Sequence, residues 1–402
     1  TLRVDRSLMA ISCGELVSST DLEDGRREDR FADTMIMSTY LVAFIVGELE
    51  ATEAVDVDGV PLRIVHVPGK GDLTQFALEA GEFSLRWLVD YYDIPYPAGK
   101  LDLVAVPDFA FGAMENLGCV TFRETLLLAD PRRTTQAELT RIVDVIAHEI
   151  AHMWFGNLVT MDWWNGIWLK EAFATFMQVA ATDAFRPQWR RWDGFCVERG
   201  AAFDTDSLAS TRPIEFEVIS PQDAEAMYDV LTYEKGAAVV RMLEQFLGAE
   251  QFRDGVKHYL TTHSYANTTT TDLWDSLELA SAIPVRAAMD TWIFQGGHPM
   301  IAVGMTSRGI SIRQSRFGYS DVEPALWHVP VIVRAQVGST DVEKRVLLEG
   351  NQTEIDLGGA PEWVVVNAGG HGFTGSLMTQ IYSTPYRSAP STSCLLLSVT
   401  GL

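Results

Sequence analysis

His148, Glu149 and His152 form the pattern His-Glu-x-x-His, the run in this chain best suited to metal chemistry. Residues four apart stand on one face of a helix, one turn apart, so two imidazoles at 148 and 152 can reach one cation. Glu149 then lies beside the pair, close enough to take a proton from a water on that cation. A third ligand must come from elsewhere, and Glu171, eighteen residues after His152, is the natural candidate. Two histidines and one carboxylate leave a fourth zinc position open, as catalysis requires and a closed structural site does not allow. The chemistry expected is hydrolysis: the metal acidifies a water and polarises a carbonyl, and Glu149 moves the proton from the water to the leaving amine. The motif alone is moderately specific, but its setting sharpens it. IVDVIAHEIAHMWF is a long apolar helix with one polar cluster. Burying two histidines and a glutamate there is costly unless a partner such as a metal satisfies them.

The elements that must position these groups follow from periodicity. Thr134–Phe155 reads as the helix carrying the histidines, and about 167–185 as a second helix carrying Glu171. The connection at 156–169 holds Trp163, Trp164 and Trp168, read as core packing under the site. Upstream, Asp72–Tyr92 shows helical spacing, IPYP at 94–97 breaks it, and Leu101–Val106 reads as a strand. Gly112-Ala113-Met114-Glu115-Asn116 then follows in a turn-like segment suited to an edge strand lining a cleft. Downstream, 186–222 is mixed and interrupted by proline, and Ala224–Leu247 holds Tyr233 and the helix AAVVRMLEQFL. Helices are expected at Thr271–Ser281 and Val285–Gln295, the latter ended by GGHP.

The flanks differ in character. Residues 1–50 read as strands, with Asp21–Arg30 as a charged turn and Ser38–Leu49 as a β-prone run. DVDG at 56–59 is a hairpin signal. From 300 to 370 short alternating strands suggest a small β-sandwich without a catalytic constellation. Residues 371–402 contain one Arg and no Asp, Glu or Lys, against 21% charged residues overall. That change suggests a shifted reading frame or a foreign terminus. A net charge of -23 argues against a nucleic-acid partner, whose phosphates it would repel. Four cysteines far apart, with no Cys-x-x-Cys, point to free thiols. No apolar run approaches the ~20 residues of a membrane span.

Three motifs in order, Gly-Ala-Met-Glu-Asn at 112–116, His-Glu-x-x-His with Glu171, and Tyr-Glu-Lys-Gly at 233–236, resemble the M1 family of zinc aminopeptidases, of puromycin-sensitive or aminopeptidase N-like type. The resemblance runs from about Ser38 to about Phe373. It implies an α+β multidomain fold: the end of a β-domain at 1–50, a thermolysin-like zinc peptidase domain at 51–298, a β-sandwich at 299–370 and an atypical tail at 371–402. It further implies one zinc per chain on His148, His152 and Glu171, with Glu149 as general base. Tyr233 would stabilise the oxyanion of the tetrahedral intermediate. Gly112, Ala113, Met114, Glu115 and Asn116 would bind substrate, Glu115 pairing with its amino terminus. Lys170 stands where many relatives have Asn. The expected partners are peptides with a free amino terminus, and the expected location is cytoplasmic. Against such relatives the chain reads as truncated at both ends, which implies reduced activity. The competing readings are a bifunctional epoxide-opening enzyme, which Ala113 argues against, a protein-binding scaffold, which the intact His-Glu-x-x-His argues against, and a catalytically impaired fragment of an M1-like enzyme.

Overall fold

The computed structural model describes residues 1–378, so most of the expected atypical tail lies outside the described residues. Helices and sheets alternate through an α+β architecture, and contacts divide it into two units. The first comprises Thr1–Asp162, Phe173–Arg191 and Val256–Thr269, and the second comprises Trp163–Ala172, Trp192–Gly255 and the chain from Thr270 onward.

In the first unit a six-stranded sheet carries the edge that matters for function. Its order is Ala113–Met114, Cys119–Arg123, Leu101–Val106, Val60–His66, Glu50–Ala51, with Val55–Val57 also paired to Val60–His66. The three central strands are parallel and deeply buried, and the hydrophobic run Leu101–Val106 suits burial on both faces. The Asp58-Gly59 turn has positive φ at both residues (54° and 91°), as a two-residue hairpin turn demands. Helix α1 (Gln75–Tyr92) packs its apolar stripe on this sheet and against helix α2 (Gln136–Ala151).

Two expectations for the first fifty residues are corrected. Asp21–Arg30 is not one long turn: Leu16–Asp21 and Arg26–Phe31 pair as antiparallel strands. Its charges sit in the strand because they are satisfied there, Asp29 being fully buried against Arg27 (2.9 Å) and the Ser19 hydroxyl (2.6 Å). Ser38–Leu49 forms a strand only at Phe44–Gly47, after a tight turn at Thr39–Leu41.

Helix α3 (Ile167–Phe185) matches its expected span and runs through both units. Helix α4 (Arg191–Asp206) occupies part of the region expected to be mixed. Helices α5 (Pro221–Ala226), α6 (Gly236–Leu247), α7 (Ala249–Thr262), α8 (Thr270–Ser281) and α9 (Val285–Ile293) follow. The second unit closes with two sheets: Gln352–Asp356, Gly309–Arg316, Pro299–Thr306, Gly375–Met378, and Thr340–Leu348, Val329–Val337, Trp363–Val366. Alternate residues of these strands, among them Ile301, Val303, Ile310, Ile312, Val331 and Val333, are buried. The strands continue past 370, because Gly375–Met378 pairs in parallel with Met300–Val303. Among the described residues Cys13, Cys119 and Cys196 form no disulfide. Among the described residues no helix is long and apolar enough to cross a membrane.

Candidate active site

Helix α2 starts on a capping box. The Thr135 hydroxyl accepts the Glu138 amide at 3.3 Å, and the Glu138 carboxylate accepts the Thr135 amide at 2.9 Å. The apolar residues Ile142, Val143, Ile146 and Ile150 are buried, and that burial carries the polar cluster into the interior. Asp144 is buried as well and is matched by Arg191, whose Nε lies 3.0 and 2.9 Å from the two carboxylate oxygens. The helix is shorter than the expected Thr134–Phe155: it ends at Ala151, with His152 as C-cap. His152 still has helical dihedrals (φ -59°, ψ -21°), so the one-turn relation to His148 survives. The chain then winds more widely, with Asn157, Leu158 and Val159 amides bonding to carbonyls five residues back.

The two imidazoles are held from behind. His152 Nδ1 lies 2.9 Å from the carbonyl of Phe155, a pure acceptor, so this nitrogen carries a proton, and in the neutral ring Nε2 keeps its lone pair. His148 Nδ1 lies 2.9 Å from Oε1 of Gln178 on α3 and is fixed in the same sense. The two Nε2 atoms are 3.1 Å apart. With both Nδ1 atoms donating, two lone pairs converge at that separation, an arrangement that a shared cation satisfies. Glu171 lies on the same face of α3 as Gln178, two turns earlier. One ligand atom from each of His148, His152 and Glu171 falls within 4.8 Å of the others, and all three residues are buried. Their chemistry, two neutral imidazoles and a carboxylate, fits a zinc ion with an open position.

A second group, Glu115, Glu149 and His152, also lies within 4.8 Å and is buried. The expected base thus stands beside His152, and the expected amine anchor stands beside the base. Glu115 follows the edge strand Ala113–Met114, whose register is set by Ala113 against Phe122 and by the Arg123 amide on the Gly112 carbonyl (2.9 Å). Asn157, on the wide turn after α2, donates to the Glu115 carbonyl at 2.9 Å and so ties the two motifs together. The Asn116 side chain is used internally: it donates to the Leu41 carbonyl at 3.3 Å and accepts the Thr121 hydroxyl at 3.0 Å.

Tyr233 stands in a π-helical turn, Leu231–Lys235, immediately before α6. Burial and the nearby Glu171 charge push its hydroxyl well above the usual tyrosine range, against the opposing charge of Lys170, so it stays a donor. It hydrogen-bonds Glu171, and Lys170 Nζ lies 3.2 Å from Glu171 Oε1. Gly236, directly after the turn, has a backbone packed so close to α3 that an added Cβ would sit 2.7 Å from that of Ala172. One expectation is corrected here: of the three tryptophans read as core, only Trp168 is fully buried, its ring N–H on Glu215 (2.9 Å) and Thr270 (3.0 Å). Trp163 is 55% exposed, because it precedes the tight turn Trp164–Gly166 in extended conformation and turns its ring N–H to the Val218 carbonyl. Gln178 and Asn157 were not singled out from the sequence.

The model of the peptidase family M1 domain matches residues 76–292. The chain belongs to peptidase family M1. It is 41% identical over 384 residues to a puromycin-sensitive aminopeptidase of Caenorhabditis elegans, covering 93% of this chain and 40% of the relative. It is 39% identical over 359 residues to aminopeptidase M1 of Arabidopsis thaliana (89% and 40%) and 36% identical over 398 residues to human endoplasmic reticulum aminopeptidase 1 (91% and 42%). The chain therefore spans about 40% of the length of the curated M1 relatives it matches. The matched region contains all three motifs.

Proposed function

We propose that this chain carries the catalytic centre of a zinc-dependent aminopeptidase that removes single residues from peptides with a free amino terminus. One observation carries the reading: two histidines with fixed tautomers converge their Nε2 atoms to 3.1 Å beside a buried carboxylate. His148, His152 and Glu171 would hold one zinc per chain, which, when bound, acidifies a water and polarises the scissile carbonyl. Glu149 accepts the proton of the attacking water and passes it to the leaving amine. Tyr233, kept protonated by its surroundings, donates to the developing oxyanion. Glu115 pairs with the substrate ammonium and orients the first peptide bond, while Gly112, Ala113 and Met114 offer the edge of the sheet to the substrate backbone. Asn116 shapes this edge through its own hydrogen bonds. The reading fits a thermolysin-like domain.

The test is metal content together with turnover of an aminoacyl-anilide by the 402-residue chain. The chain is expected to bind about one zinc and to release anilide from the free amine but not from its acetylated form. Replacement of His152 by Ala with metal content unchanged would overturn the ligand assignment.

A further inference from the structure

The π-helical turn that presents Tyr233 is an unusual conformation, and such turns persist where surrounding structure over-determines them. Here both of its ends are gripped by cation–carboxylate pairs. At the start, Arg212 donates to Asp229 at 2.5 Å and to the Thr232 hydroxyl at 3.1 Å. The same Asp229 oxygen accepts the Leu231 and Thr232 amides at 2.9 and 3.2 Å. At the end stands Lys235, whose side chain has no exposed surface. Its Nζ lies 2.9 Å from Asp206, at the end of α4, and 3.1 Å from the Gly297 carbonyl. Asp206 also accepts the Thr211 hydroxyl at 2.7 Å and the Gly297 amide at 2.8 Å.

A buried lysine is not needed merely to close a helix. Burial pushes Lys235 down despite Asp206, and it pushes Asp206 up until Lys235 and hydrogen bonds from His298 and Thr211 carry the carboxylate well below its usual range. A well-packed apolar pair of similar volume often replaces such an ion pair without loss of stability. What an apolar pair cannot supply is a directed hold on the backbone at both the Lys235 and the Gly297 positions.

We infer that the buried Lys235–Asp206 pair is a positioning device: it fixes the pitch of the π-turn and thereby the placement of the Tyr233 hydroxyl for oxyanion stabilisation. The inference rests on the catalytic reading of Tyr233 proposed above. Neither residue touches substrate in this account; both act through the turn.

The test is a mutant cycle in the full chain. Lys235→Met/Asp206→Leu removes the pair without leaving one charge buried, and Tyr233→Phe is made in the parent and in the pair variant. Three quantities are read: zinc content, steady-state kinetics on an aminoacyl-anilide, and amide hydrogen exchange across residues 229–236. The pair variant is expected to keep its zinc and its KM within about twofold, to lose about tenfold or more in kcat, and to exchange faster across the turn. Adding Tyr233→Phe to it is expected to cost only about a further tenfold, bringing the double variant to the level of Tyr233→Phe alone, although the same change in the parent costs about 10²-fold. A pair variant that turns over like the parent, or a Tyr233→Phe effect of equal size in both backgrounds, overturns the inference. Unchanged kcat for Tyr233→Phe in the parent instead removes the donor role itself, and the inference falls with it. Should the pair variant fail to fold, Asp206→Asn, which keeps the shape and removes the charge, carries the same cycle.

Discussion

Gln178 gives the sharpest quantitative test of the proposed metal centre, because it acts on His148 without being a proposed ligand. Its Oε1 accepts the His148 Nδ1 proton at 2.9 Å, and both side chains are buried, 7% and 9% exposed. Replacement by Leu keeps the approximate volume and removes the acceptor. Water has little access to take its place, so the Nδ1–H is left unsatisfied at a cost of about 1–3 kcal/mol. The imidazole also loses the contact that fixes its tautomer and plane. Loss of such a partner typically weakens metal affinity by about 10- to 100-fold, or about 1.4–2.8 kcal/mol at about 1.4 kcal/mol per decade. The two figures agree in size. Gln178→Glu retains an acceptor and is expected to keep parental affinity or exceed it. The assay is zinc competition against a chromophoric chelator at fixed pH, with chemical denaturation to show that each variant is folded. A folded Gln178→Leu chain that binds zinc as tightly as the parent would refute the reasoning, as would a Glu variant that weakens binding as much as Leu.

The remaining predictions concern the other buried groups. Glu149→Gln is expected to keep zinc while lowering kcat by about 10²- to 10⁴-fold, because an amide cannot accept the water's proton; metal analysis beside turnover checks it. Glu115→Ala is expected to cut kcat/KM for free-amine substrates by about 10²-fold or more, since one buried charge-assisted contact orients the peptide; turnover of the acetylated substrate at a parental rate would instead indicate an endopeptidase. His371 is held down to about 4 from 6.5, by burial first and then by Arg241 and Arg199. The unfolded chain therefore binds this proton near 6.5 while the folded chain waits until about 4, so stability falls as pH drops through that window and levels off below it. His371→Gln is expected to flatten this part of the profile in urea melts at graded pH.

What the sequence made legible was what short-range periodicity encodes. Helix α3 was readable end to end because IWLKEAFATFMQVAATDAF is apolar nearly throughout and bounded by Gly166 and Pro187. The convergence of His148 and His152 was readable because a spacing of four is geometry in itself. Helix α4 was not: RWDGFCVERGAAFDTD carries two glycines and a weak apolar stripe, and it is held by tertiary anchors at its two ends, Arg191 on Asp144 and Asp206 on Lys235. The π-turn at Tyr233 was invisible for the same reason, since its grips come from Asp206 and Arg212, which are distant in sequence. Gln178 left a usable signal: it lies seven residues after Glu171, hence on the same face of one helix. Asn157 left none, because its partner is a main-chain carbonyl 42 residues upstream.

His152 differs from its partner histidine in one respect with an evolutionary consequence. Its orienting acceptor is the carbonyl of Phe155, a piece of main chain. No exchange of a neighbouring side chain removes that acceptor directly, so this half of the centre tolerates changes of composition that leave the backbone path intact. The path itself is defined by the run of amides at Asn157, Leu158 and Val159 reaching back five residues, closed by the Gly156 amide on the Val159 carbonyl. One residue gained or lost between His152 and Val159 would rotate every later group out of register and carry the Phe155 carbonyl and Asn157 away together. This stretch is therefore constrained in length more tightly than in spelling, and insertions and deletions, rather than substitutions, are the changes by which a descendant of this chain would most readily lose the proposed metal site.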